Sequence, residues 1–212
     1  MEEKKKKIEN GAVLSLKLDF DLGITFLKVV DLNELSNDEL TKGLYLTLYS
    51  FDYIVKTENE FNLNNFLNAK ELVGPLKTID IYSAIKTGNY KKVTNVPLRD
   101  YEKRIFAVRD YSTKLFTSHY EKDASIWRYY ENGIPYQWFA TSYEKVKHLE
   151  PSIGFTYLEI AKRISMEILH RKEYDLNEYY DLEKEENASI YYNMMFTQNF
   201  SQVPDCSKGI LY

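Results

Sequence analysis

Gly11-Ala-Val-Leu-Ser-Leu-Lys-Leu18 and, past a short turn, Gly23-Ile-Thr-Phe-Leu-Lys-Val-Val-Asp-Leu32 decide the fold. In the first stretch Leu14, Leu16, Leu18 and Phe20 alternate with Ser15, Lys17 and Asp19, the period of two of a half-buried strand. Asp21-Leu22-Gly23 supplies the turn, with Gly23 free to take positive φ. The second stretch is apolar on both faces (Phe26 and Val30 against Leu27 and Val29), which places it centrally in a sheet. A third strand follows, in which Leu44, Leu46 and Leu48 point one way and Tyr45, Thr47 and Tyr49 the other. Three strands sharing an apolar face are about the minimum for an independent sheet.

Downstream, 59–72 reads as a loop with a short helix and 79–85 as a second short helix, stopped by Thr87-Gly88-Asn89. Tyr90 to Leu98 reads as a strand whose end lies at a sheet edge, because Pro97 has no N–H to donate. A further strand is expected over 104–109. The strongest helix runs from Gly154 to Lys172. Leu158, Ala161, Ile164, Ser165 and Ile168 form its apolar stripe, with Glu159, Lys162, Arg163 and Glu167 outside. The expected architecture is therefore α+β: a mainly antiparallel sheet packed against one long C-terminal helix and a few short ones. Residues 1–10 read as a disordered, charged terminus and 11–212 as a single domain, with a weak subdomain boundary near 110–114.

Composition narrows the function classes. The 212 residues carry a net charge of −4, which argues against a nucleic-acid binder. One cysteine, Cys206, excludes an internal disulfide and any multi-cysteine zinc site. No apolar run approaches the roughly 20 residues a membrane span needs, and Met1-Glu-Glu-Lys-Lys-Lys-Lys-Ile8 lacks the apolar core of a signal peptide. A cytoplasmic protein without membrane or cofactor is expected. His119, Glu121 and Asp123 gather three metal-ligating types, but nothing in a strand fixes their geometry, so no metal is expected. The eight glycines are scattered singly, with no phosphate-cradling pattern. No catalytic residue emerges.

Aromatic residues make up 15%, with 19 tyrosines. Two segments concentrate them. Trp127 to Phe139 reads as a hairpin about Asn132-Gly133, a pair suited to a two-residue turn. That turn sets Tyr129 opposite Tyr136 and Trp127 opposite Trp138, a ladder that serves equally as core packing or as a binding surface. From Glu173 to Glu186 seven carboxylates carry Lys184 as their one base, interleaved with Tyr174, Tyr179 and Tyr180. This stretch reads either as a solvated face or as a patch that meets a basic partner. In a helical segment Glu178 and Asp181 would share a face. The candidate partner-binding residues are thus Trp127, Tyr129, Tyr136, Trp138, Glu178, Tyr179 and Asp181.

Thr87-Gly-Asn-Tyr-Lys-Lys-Val-Thr-Asn-Val-Pro-Leu98 resembles a segment of the immunity protein 26 family of bacterial polymorphic toxin systems. Gly, an aromatic residue, Lys, a valine-rich strand, Asn and Pro-Leu recur there at similar spacing. Tyr90 stands where the family usually has Trp, and Thr94 where a Gly is expected. Gly11 to Leu18 with Gly23-Ile-Thr-Phe26 resembles the family's opening hairpin, and Tyr45 to Asp52 its next strand, so the resemblance covers residues 11 to 98. It implies a protein that neutralises a toxin by binding it, with no catalytic residues to carry over. A basic toxin such as a nuclease would suit the acidic, tyrosine-rich stretch. The alternatives from other classes are a hydrolase or nuclease with an acidic site assembled by the fold, and a regulatory interaction domain with no toxin partner.

Overall fold

The computed structural model describes residues 7–31, 34, 46–104, 107–111, 127–130, 139–194 and 197–198. Five strands form an antiparallel sheet in the order β4-β3-β2-β1-β5. They are β1 (Ala12–Lys17), β2 (Ile24–Asp31), β3 (Leu46–Val55), β4 (Leu76–Thr78) and β5 (Tyr90–Asn95). The doubly apolar β2 is central, pairing Leu14 with Leu27 on one side and Val29 with Leu48 on the other. A second antiparallel sheet, β6-β7-β8, comprises β6 (Val108–Tyr111), β7 (Trp127–Tyr130) and β8 (Phe139–Thr141). Among the described residues the α-helices are α1 (Leu63–Asn68), α2 (Ile81–Lys86), α3 (Tyr143–Val146), α4 (Tyr157–Arg171) and α5 (Glu185–Met194). The α+β class read from the sequence is the one observed.

Strand alternation divides the core. Leu14, Leu16, Leu27 and Val29 face α4, where Ile160, Ile164 and Ile168 close over them. Val13, Phe26, Tyr49 and Phe51 face the other way and are covered by Phe66 of α1. That second face also buries an ion pair: Lys28 Nζ lies 2.5 Å from Glu102 Oε2, with side-chain exposures of 1% and 0%. Glu102 Oε2 also accepts the backbone N–H of Arg99 at 2.7 Å.

Local signals explain the element ends. Thr156 caps α4 in a reciprocal box with Glu159, two residues later than the Gly154 start read from the sequence. The Asp80 carboxylate accepts the Tyr157 N–H, tying the start of α2 to that of α4. The outer rim of β4 is covered from the C-terminal half of the chain: Ile79 N–H donates to the Phe155 carbonyl and Phe155 N–H to the Lys77 carbonyl. The second sheet is attached through Arg109, whose N–H donates to the Glu150 carbonyl and whose carbonyl accepts from Ser152. The chain is already tied down ahead of residue 11, since Asn10 Oδ1 accepts from Asp31 N–H and Lys7 pairs with Glu34.

Three expectations need correction. Leu158, placed in the buried stripe of α4, is 60% exposed, whereas Arg163, placed outside, is 1% exposed. Leu158 lies in the first turn of α4 at the edge of the cover, whereas Arg163 lies under a second cover of the helix. Beyond the sheet contact, Arg163 reaches Glu167 and Thr197, and Thr197 in turn donates to the buried Glu150. In the second sheet Trp127 pairs with Thr141 and Tyr129 with Phe139, a register three residues away from the one set by a tight Asn132-Gly133 turn. Last, Phe20 does not continue the alternation of β1, because the chain has already turned there.

Gly11 has φ +83°, and a Cβ at this position would come within 2.0 Å of the Val96 carbonyl oxygen. Its N–H donates to the Val29 carbonyl and its own carbonyl accepts from Val96. Gly11→Ala therefore combines left-handed strain with a backbone clash at the junction of β1, β2 and β5. A loss of at least about 2 kcal/mol is expected in urea unfolding.

Candidate functional site

Directly after β1, the turn Asp19–Asp21 holds two consecutive non-glycine residues in the left-handed region, Phe20 at φ 53° and Asp21 at φ 52°. Each costs on the order of 1 kcal/mol, so the surroundings must over-determine this shape. They do. Leu18 N–H donates to the Gly23 carbonyl and Leu22 N–H to that of Asp19. Asp19 N–H donates to Ser165 Oγ on α4 at 3.0 Å, while that hydroxyl donates to the Ala161 carbonyl. The Tyr180 hydroxyl donates to Asp19 Oδ2 at 2.7 Å. Burial and this bond to a carboxylate push the Tyr180 phenol well above its ordinary pKa.

The turn displays an aromatic ring between two carboxylates. Phe20 is 49% exposed and meets Tyr179 and Tyr180 edge-on, with centroids 5.3 and 4.8 Å away. Tyr174, equally exposed, continues the row at 5.8 Å from Tyr179. The acidic segment after α4 is therefore docked through its tyrosines onto the turn after β1, and the carboxylates of Asp19 and Asp21 join its own.

A cleft of about 640 Å³ opens beside Phe20, floored by Leu16, Leu18 and Ala161 and flanked by Leu158. Its polar rim is internally paired. Ser15 Oγ donates to Glu58 Oε1 at 3.0 Å, Lys91 Nζ reaches the same oxygen at 3.0 Å, and Lys17 pairs with Asp21 at 3.2 Å. A serine beside a lysine and a carboxylate invites a nucleophilic reading, and the electrostatics oppose it. The Lys91 ammonium, helped by the Ser15 hydroxyl, holds the Glu58 carboxyl below its ordinary pKa, making it a poor base. Lys91 Nζ is engaged by the same carboxylate oxygen that accepts from Ser15.

The residues proposed from the sequence fare unequally. Tyr179 lies in the aromatic row, half-buried. Glu178 and Asp181 are exposed at its margin but share no helical face, because the short turn Leu176–Glu178 ends between them. Asp175 accepts from Asn177 N–H to start that turn, and Asp181 accepts from Glu183 N–H to start the next. Trp127 and Tyr129 are placed by backbone register in β7. Tyr136, Trp138, the Asn132-Gly133 pair, His119, Glu121, Asp123 and Cys206 lie outside the described residues. Among the described residues no group of three or more His, Cys, Asp or Glu side chains could hold a metal, and no helix is long and apolar enough to cross a membrane.

Phe20, Asp19 and Leu158 escape a reading by residue pattern. One signal was present: in Asp19-Phe20-Asp21 an aromatic sits between carboxylates just before the Gly23 turn, where a strand has run out. Comparison with family models, curated proteins and solved structures finds no match to this chain.

Proposed function

We propose that this chain is a non-catalytic binding protein whose working face is the acidic, aromatic surface formed by the Asp19–Asp21 turn and the segment 173–181. The observation that carries this reading is the exposed Phe20 ring, held in a strained, many-bonded turn against Tyr179 with carboxylates on either side. Rigid aromatic groups supply contact area at low entropic cost, and the surrounding carboxylates steer a basic partner and fix its orientation. The partner class that fits is a basic protein. With the resemblance of residues 11 to 98 to toxin-neutralising immunity proteins, the reading becomes occlusion of a basic toxin.

The decisive experiment pairs purification from the native host with kinetics on the basic partner so obtained. Glu178→Lys with Asp181→Lys should slow association about tenfold or more at low salt and flatten its salt dependence, because steering acts over a Debye length of about 8 Å at physiological ionic strength. Dissociation should change far less. Association rates unchanged at low salt would overturn the reading. A partner encoded beside this chain and toxic on its own separates immunity from regulation.

A further inference from the structure

We propose, resting on the binding reading above, that the cleft beside Phe20 receives one aromatic or large apolar anchor side chain from a cationic segment of the protein partner, with the neighbouring cation meeting Asp19. Three observations point there. Leu158 lies on the face of α4 whose other apolar residues are buried, yet it is 60% exposed at the edge of the cleft, opposite a half-exposed Phe20. Two large apolar groups left in water across a concave floor of Leu16, Leu18 and Ala161 leave a gap that a third would fill. At about 640 Å³ the space is that of a ligand pocket rather than a packing defect.

The rim defines what surrounds the anchor. Lys17 is neutralised by Asp21, and Lys91 by Glu58. These exposed pairs leave the rim polar and without net charge, so that an anchor seated on the apolar floor would be ringed by near-neutral contacts, the usual setting of an interface hot spot. Asp19 differs. Its carboxylate accepts from a neutral phenol, and among the described residues it has no cationic partner. One negative charge at the mouth of the cleft is thus left for the occupant to balance, and Asp175, Glu178 and Asp181 extend the same sign along the aromatic row. A Trp or Tyr side chain flanked by Arg or Lys matches both the gap and the charge.

Three short peptides test this: Lys-Arg-Trp-Arg-Lys, the same peptide with Ala for Trp, and the charge-inverted Glu-Asp-Trp-Asp-Glu. Binding to the isotope-labelled full chain is followed by amide chemical shifts. The cationic Trp peptide is expected to shift the amides of Phe20, Asn89 and Leu158. The Ala peptide should bind at least tenfold more weakly, and the acidic peptide weaker still. Leu158→Gln, a surface change, should weaken the Trp peptide about tenfold, whereas Tyr82→Gln on the exposed face of α2 should not affect it. Equal affinity of the Ala and Trp peptides, with shifts confined to 173–181, would overturn the anchor pocket and leave the acidic-face reading standing. Equal binding of the acidic peptide, or shifts centred on Ile79 and Ile153, would overturn the pocket as well. So would silence of all three peptides at millimolar concentration, while the association kinetics above still decide the broader reading.

Discussion

Raising the pH past about 10 should destabilise this protein steeply. Tyr49, Tyr90 and Tyr180 are 1%, 1% and 5% exposed, and burial pushes all three phenols above their ordinary pKa. Unfolded tyrosines ionise near pH 10. Above that point the folded chain holds these three protons, which the unfolded chain has released, and the less deeply buried Tyr101, raised by burial in the same way, adds a smaller share. The stability these groups contribute is therefore complete below pH 10 and is lost as pH climbs toward the raised folded values. Each phenol removes about 1.4 kcal/mol per pH unit in this window, so three together remove roughly 4. Against a typical total of about 5–15 kcal/mol, that unfolds the chain within a few pH units. Lys28, whose pKa burial lowers, acts in the opposite sense only below the unfolded lysine value of about 10.4, so it delays the onset slightly. Urea midpoints at pH 8, 10 and 11 measure the effect, and Tyr180→Phe should remove about a third of the slope. A midpoint unchanged up to pH 11 would contradict it.

The second large effect concerns Lys28 and Glu102. Neither partner has access to water, and the pair lies on the face formed by Val13, Phe26, Tyr49 and Phe51, with Arg99 as a neighbouring cation. Lys28→Met strands the Glu102 charge and should cost about 3–5 kcal/mol, because an uncompensated buried charge loses its hydration without recompense. Lys28→Met with Glu102→Gln keeps an acceptor for Arg99 N–H and removes both charges, so its stability should return to within about 1–2 kcal/mol of the parent. Chemical denaturation of the singles and the double closes the cycle. Additive losses would show that the two groups do not act as a pair.

What the sequence reveals here follows the range of the forces involved. The alternation in β1, the central place of β2 and the existence of α4 are local patterns, and each is where its periodicity puts it. Phe20 shows the limit, since period two predicts a strand while the chain needs only one carbonyl, that of Gly23, to close a turn. Arg163 and Leu158 show two others: a helical wheel assumes one covered side where α4 has two, and it assumes cover along the whole stripe, which stops short of Leu158 in the first turn. The candidate site depends on contacts of Asp19 with Ser165 and Tyr180, 146 and 161 residues away in the chain. No spacing rule reaches that far. A strand read as apolar on both faces leaves Lys28 without an account, because its partner Glu102 lies 74 residues on.

The cover that residues 153–155 lay over the rim of β4 bears on how the molecule can be divided. A polypeptide ending before Ile153 would keep all five strands of the large sheet. It would lose the backbone partners of Lys77 and Ile79, and with α4 the lid over Leu14, Leu16, Leu27 and Val29. At the opposite rim β5 carries Lys91 and Lys92, charges that discourage a neighbouring chain from adding a strand. The β4 rim carries one lysine, Lys77, and its backbone groups are shielded by Phe155 from the later half of the chain. Limited digestion that cuts near residue 150 should therefore yield no soluble amino-terminal fragment, and expressing that half by itself should give self-associating material.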